Sequence, residues 1–175
     1  MKRLASILAL GVCVTAIATG GAEARTSKSA FLVFVEPTIS AASNGLTIET
    51  ELEGTFDVAD KSASGNGTYV LMAGDTVIDS GTFTLTRVVA FQFYGCGEVE
   101  DTPLPPDFCG GRVIFRVHAI SSTGEQRDAL LEVNCQIHDP GGQAPPATSE
   151  GVKVNARGVN FNKHVTGDNL FQMLP

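Results

Sequence analysis

Residues Leu46–Val58 read LTIETELEGTFDV. Leu46, Ile48, Leu52, Phe56 and Val58 fall on even positions, and Thr47, Glu49, Glu51, Glu53, Thr55 and Asp57 on odd ones. Side chains alternate sides along a β-strand, so this pattern specifies one long strand with an oily face and an acidic face. Gly54, in the oily series, marks a bend or a close neighbour.

The same two-residue period recurs on either side. In TFTLTRVVAFQF it groups Phe83, Leu85, Val89, Phe91 and Phe93, with Arg87 as the exception. In RVIFRVHAI it groups Val113, Phe115, Val117 and Ala119, and in DALLEVNCQI it groups Ala129, Leu131, Val133, Cys135 and Ile137. AFLVFVE (30–36) and TYVLMAG (68–74) alternate less strictly and are expected to be strands buried on both faces. GVKVNARGVNF (151–161) and NLFQML (169–174) are expected to form a terminal pair closed by TGDN. ADKSASGNG (59–67) is expected to be a flexible loop, AGDT (73–76) and STGEQ (122–126) hairpin turns, and DPGGQAPPATSEG (139–151) an irregular connection. No segment carries a 3.6-residue apolar stripe. Eight to ten strands at this spacing predict an all-β fold, an antiparallel β-sandwich, with a closed β-barrel as the alternative. Residues 30–175 are expected to form a single β domain.

The chain opens with MKRLASILALGVCVTAIATGGAEA. Lys2 and Arg3 precede an apolar run from Leu4 to Thr19, and Ala22 and Ala24 supply the small residues of a cleavage site. These features predict a signal peptide over residues 1–24, followed by a short leader over 25–29. The run is too short to span a bilayer, which takes about 20 apolar residues. Export to the periplasm or the medium is the expected localisation, with no membrane span after cleavage. Cleavage removes Lys2, Arg3 and Glu23 from 12 basic and 19 acidic residues, leaving 10 and 18 and a formal charge of −8. Such a surface repels phosphate backbones, so nucleic acid is not an expected partner. The chain also lacks the basic amphipathic helix that an anionic membrane surface would hold.

Three cysteines remain after cleavage: Cys96, Cys109 and Cys135. In an oxidising compartment a pair is expected to bridge. Cys96 and Cys109 flank YGCGEVEDTPLPPDFCGG and sit at adjoining ends of consecutive strands, so Cys96–Cys109 is the expected disulfide. Closing a loop of this size contributes about 3 kcal/mol through chain entropy. Two other readings remain open. Cys135 could pair with Cys96 or Cys109, because a hairpin centred on Gly124 would set Val113 opposite Cys135 and Arg116 opposite Glu132. Alternatively, Cys96, Cys109, Cys135 and His138 could ligate zinc, although their spacing lacks the short Cys-x2–4-Cys knuckle. The bridged loop carries Glu98, Glu100, Asp101 and Asp107, stiffened by Pro103, Pro105 and Pro106. These four acids are the candidate contacts to a cation or a partner, and a solvated connection is the plainer reading.

Glu49, Glu51, Glu53 and Asp57 stand along one strand face, with neighbours about 7 Å apart. Such spacing suits carbohydrate acid–base work or Ca²⁺, but the chain has no Trp and only two Tyr to stack on a sugar. Asp57, Asp60 and Asn66 are loosely calcium-like, without an EF-hand pattern. Asn66-Gly67-Thr68 is a glycosylation sequon. His118 lies on the outer face of its strand, His138 starts a loop and His164 lies near the last turn. No Gly-x-Ser-x-Gly elbow, His-Glu-x-x-His helix or phosphate-binding glycine loop is present in the sequence. The expected function is an exported, non-enzymatic structural or binding domain that needs no cofactor and whose partner is an unidentified protein or small ligand. The alternative is a domain that binds a small ligand or Ca²⁺, which an interior cavity would favour. A small secreted hydrolase is the third reading, and His138 or His164 converging with two carboxylates would favour it. N-terminal sequencing of the exported protein is expected to begin at Arg25, and an uncut signal peptide would remove the basis for export.

Overall fold

Alternation along Leu46–Asp57 buries Ile48, Leu52 and Phe56 and leaves Glu51 and Glu53 in water. The computed structural model describes residues 29–99, 102–137 and 150–175. Its strands are β1 (Ala30–Ala42), β2 (Leu46–Asp57), β3 (Ser62–Ala73), β4 (Thr76–Cys96), β5 (Glu98–Val99), β6 (Thr102–Pro103), β7 (Phe108–Ser121), β8 (Gln126–Cys135), β9 (Gly151–Ala156), β10 (Val159–Thr166) and β11 (Asn169–Met173). No helix occurs among the described residues. Nine strands form one antiparallel sheet in the order β10-β9-β8-β7-β11-β1-β2-β3-β4, and β5 and β6 form a small ribbon of their own. Further pairings join β10 to β1 and β4 to β7, so hydrogen bonding continues around the core. The fold is all-β and sandwich-like, with facing halves of one sheet enclosing a shared interior.

Aromatic rings fill one end of that interior. Phe56 lies 5.2 Å from Phe31, 5.3 Å from Phe91, 5.4 Å from Phe115 and 5.8 Å from Phe171, measured between ring centroids. Three of these four contacts are edge-on, the geometry that the ring quadrupole favours. The other end is lined by aliphatic and small side chains such as Leu46, Ile48, Ala119 and Ala129.

Several local expectations are corrected. Residues 59–67 are not a loop. A short turn with Lys61 at φ 55° leads straight into β3 at Ser62. The inward positions of β3 begin with Ala63, Gly65 and Gly67, which carry no hydrophobic signal yet pair in register with Phe56, Gly54 and Leu52. Gly54 and Gly65 face each other directly, and a Cβ on Gly65 would lie 2.5 Å from the Gly54 Cα. Gly67 faces Phe83, whose ring occupies the place of a Cβ, at 2.2 Å. Along β4 the simple period fails because register shifts fall between Leu85 and Arg87, Val88 and Ala90, and Phe93 and Gly95. Each shift resets the alternation. Val88 therefore becomes buried, Arg87 points out, and Val89 and Phe93 are exposed, contrary to their expected place on the inner face. β1 is likewise not buried on both faces, since Phe34 is 37% exposed.

The β7–β8 hairpin is centred one residue earlier than Gly124 would put it on. It pairs Val113 with Val133, Gly111 with Cys135 and Arg116 with Leu130. Side-chain contacts cross the same ladder: Arg112 reaches diagonally to Glu132 at 2.9 Å, and His118 Nδ1 lies 3.0 Å from Oδ1 of Asp128, its direct partner. Residues 151–161 form a hairpin of their own, β9 with β10, while β10 and β11 do not pair with each other. Both bond to β1, with β11 along Phe31–Val35 and β10 along Ile39–Ala42. The changeover falls at a bulge between Val35 and Thr38, where Glu36 N–H donates to the Asp168 carbonyl and Pro37 has no N–H to give. Ser29, assigned to the leader on sequence, is tied down by its hydroxyl on Asp57 and its carbonyl on Val58 N–H.

Phe115→Ala should lower unfolding stability by about 4 kcal/mol through the cavity it leaves. Gly67→Ala should cost about 2 kcal/mol by overpacking against Phe83 and the Glu51 carbonyl. Urea titration followed by circular dichroism checks both, and a wild-type midpoint for either variant would contradict this packing.

Candidate ligand pocket

The aliphatic end of the interior forms a partly open pocket of about 160 Å³. Its wall is drawn from the inward positions of β2, β3, β4, β7, β8, β9 and β10 together with the β9–β10 turn. Thr50 lies on the wall between Ile48 and the fully buried Leu52. Leu46, Ala119, Ala156 and Arg157 adjoin the turns at the mouth. From Thr50 to Leu46 is four residues of strand, or about 13 Å of depth.

The wall has few polar atoms, and each has a structural origin. Tyr69 pairs with Gly81, and a Cβ on Gly81 would stand 2.9 Å from the Tyr69 ring. A ring lying over a cross-strand glycine in this way covers backbone that has no side chain of its own. Its hydroxyl donates to Asp79 Oδ2 at 3.1 Å. Burial, and then that neighbouring carboxylate, push the Tyr69 phenol above its ordinary value. Arg127 occupies an inward position of β8, and its Nη2 lies 3.2 Å from Asp79 Oδ2 and 2.8 Å from Glu125 Oε2. Ser121 Oγ accepts the N–H groups of Thr123 and Glu125 at 3.3 and 3.1 Å, which fixes the turn that carries Glu125. Arg157 reaches the same Glu125 from the β9–β10 turn. Arg157 and Gly158 both have positive φ, 51° and 78°, as a tight two-residue hairpin requires. A side chain in that region costs about 1–2 kcal/mol.

Two polar atoms at this wall have no hydrogen-bond partner among the described residues. One is Thr50 Oγ1, on a residue only 3% exposed; the other is Arg127 Nε. No histidine, cysteine or acidic side chain lines the cavity.

The expected site residues lie elsewhere. Cys96 and Cys109 are bonded to each other, at the ends of β4 and β7 remote from the pocket mouth. Cys135 is a free, buried cysteine facing Gly111, and the zinc set is not formed. Burial pushes its thiol up to about 12. Glu98 lies in β5. Asp107 is engaged structurally, its Oδ2 accepting from Gln172 Nε2 at 2.7 Å and its carbonyl from Met173 N–H at 2.8 Å. Glu100, Asp101 and His138 lie outside the described residues. Glu51 and Glu53 border a shallow outer groove with Phe34, Asn66 and Thr68. His164 pairs with Ser40 on β1 and packs its ring against Gly151, away from the pocket wall. Among the described residues no three His, Cys, Asp or Glu side chains gather as a metal-ligand set. The signal that the sequence did offer for the pocket was parity: Thr50 and Arg127 are polar residues at inward positions of their strands.

Compared with known proteins, the chain matches no family model, no curated protein and no solved structure.

Non-reducing peptide mapping is expected to recover a Cys96–Cys109 linked peptide. Cys135 in the native protein should react with a thiol reagent at pH 8 on the order of 10³-fold more slowly than an ordinary thiol, and at the ordinary rate in denaturant. Fast labelling of Cys135 in the native state would contradict its burial.

Proposed function

We propose that this chain is an exported, non-enzymatic binding domain that holds a small, mainly apolar molecule in the interior pocket. The observation that carries the reading is the cavity itself. Native interiors pack to crystal-like density, and an unfilled apolar space destabilises the fold. Here the aromatic end is filled while the aliphatic end opens at its mouth. A cavity of roughly 150 Å³ accepts benzene, so the part of the ligand held inside is expected to be about the size of one six-membered ring. The wall has no nucleophile–base pair, which favours retention over turnover. Its apolar surface also lacks the oxygen cage that Ca²⁺ takes. The signal peptide expected over residues 1–24 and the Cys96–Cys109 bridge support an oxidising compartment outside the cytosol.

Titration with hydrocarbons of this size should raise the melting temperature and shift the amide resonances of Ile48, Val117, Ala129 and Val154 selectively. Ala129→Phe, which projects a ring into the pocket, should keep the strand spectrum and abolish both effects. A panel that leaves these resonances unmoved would sink the reading.

A further inference from the structure

We infer that this chain associates with further copies of itself, the acidic outer face of β1–β3 in one copy resting on the basic outer face of β4 and β7–β9 in the next. The contact is separate from the interior pocket and does not depend on what the pocket holds.

The first observation is how the outward charges divide. β1, β2 and β3 contain five acidic residues and no lysine or arginine. Glu49, Glu51 and Glu53 stand in one outward row on β2, with neighbours about 7 Å apart. Their cross-strand partners include Phe34, Asn66, Thr68 and Val70, none of them a cation. On the other face the sign reverses. Arg87 and Arg116 are partners across the β4–β7 ladder, and like charges set directly opposite each other destabilise a sheet. Arg87 is exposed and has no carboxylate partner among the described residues. Arg112 and Lys153 share the single carboxylate of Glu132, at 2.9 and 3.0 Å. Asp128 is shared in the same way by Arg116 and His118. Each face therefore crowds charge of one sign, and each relieves the other when they meet.

The second observation is fit. Four residues separate Arg112 from Arg116, and four separate Glu49 from Glu53, about 13 Å of strand in each case. Arg116 has Arg87 beside it on β4 and Leu130, 40% exposed, beside it on β8. Glu53 has the exposed Phe34 ring beside it on β1 and Asn66 beside it on β3, and these residues border the shallow outer groove. Setting Arg116 on Glu53 and Arg112 on Glu49 lays Arg87 over the Phe34 ring, a favourable cation–π contact, and Leu130 into the groove. Three strands over ten residues cover about 14 by 35 Å, or roughly 500 Å² a side, which is the size class of weak, reversible contacts.

The third observation is placement. Round the hydrogen-bonded circuit β2 and β8 lie four strands apart in either direction, so the two faces look away from each other. A contact between unlike patches so placed does not close into a dimer but propagates as a chain of copies. The pocket mouth lies at strand ends and turns, so it stays accessible along such a chain.

Sedimentation of the exported chain tests the inference. At about 20 mM ionic strength its mean mass is expected to rise past the dimer between about 10 and 500 μM, and to fall back to one chain in about 0.5 M NaCl. Glu49→Lys with Glu53→Lys reverses the acidic row, and Arg87→Glu with Arg116→Glu reverses the basic one. Each double variant alone should keep the strand spectrum and associate about tenfold more weakly. An equimolar mixture of the two should associate again, because each offers the other a face of opposite sign, a recovery that misfolded variants would not give. A wild-type protein that stays one chain throughout, or whose mass levels off at two chains, overturns the inference. So does association that the salt leaves intact, or a mixture that does not recover.

Discussion

The structure depends on close approach between backbones in β2, β3 and β4, and glycine is what permits it. Gly54 meets Gly65 across one ladder, while Gly67 faces Phe83 and Gly81 faces Tyr69 across the next. At each of these glycines a Cβ would collide with backbone or with a ring already in place. Removing the inward side chains lets this half of the sheet coil over the core, and the two aromatic rings then cover the bare backbone. The arrangement also sets up the pocket. Tyr69, laid over Gly81, delivers its hydroxyl to Asp79, and Asp79 in turn holds the inward-pointing Arg127. A geometric condition for curling the sheet thus fixes the polar groups at the mouth.

The sequence expresses this scheme unevenly. Where inward positions carry bulky apolar residues, as in β2, β7 and β8, period two gives the strand and its face directly. The same rule misses the start of β3, because Ala63, Gly65 and Gly67 are inward yet leave no hydrophobic trace. It misassigns Val89 and Phe93 because bulges inside β4 reset the alternation, and a bulge is a property of the pairing, not of local composition. Arg87 was the visible sign of that reset. The division of β1 between β11 and β10 depends on Pro37 and on two partners far away along the chain, Phe31 pairing with Met173 and Ala42 with Phe161. The disulfide pair was readable because two strand ends bracket it. The pocket was not, because each residue of its wall resembles ordinary core. Only the interruption of the oily series at Thr50 and the arginine at an inward position of β8 distinguish it.

The two ends of the molecule divide its physical tasks. At one end the Cys96–Cys109 bridge joins β4 to β7, Asp107 ties the intervening loop to β11, and the phenylalanine cluster packs behind them. Shape-defined aromatic contacts and a covalent link hold that end with little need of further partners. At the other end the wall is aliphatic, the hairpin turns are short, and the clasp across the mouth is a set of ion pairs. Arg157 and Glu125 are well exposed, at 59% and 45% for their side chains. Exposed pairs of this kind contribute about 0–1 kcal/mol, so the Arg157–Glu125 contact opens at small cost, whereas Arg127 and Asp79, with side chains 18% and 15% exposed, form the inner, better-shielded pair. Arg157 must also hold a backbone conformation better suited to asparagine or glycine. Stability concentrated at the bridged end is what allows the mouth to be loosely closed, since local opening there need not disturb the aromatic core. Under the proposed binding function, a rigid base with a yielding rim would let a partly open apolar pocket both retain a small molecule and exchange it.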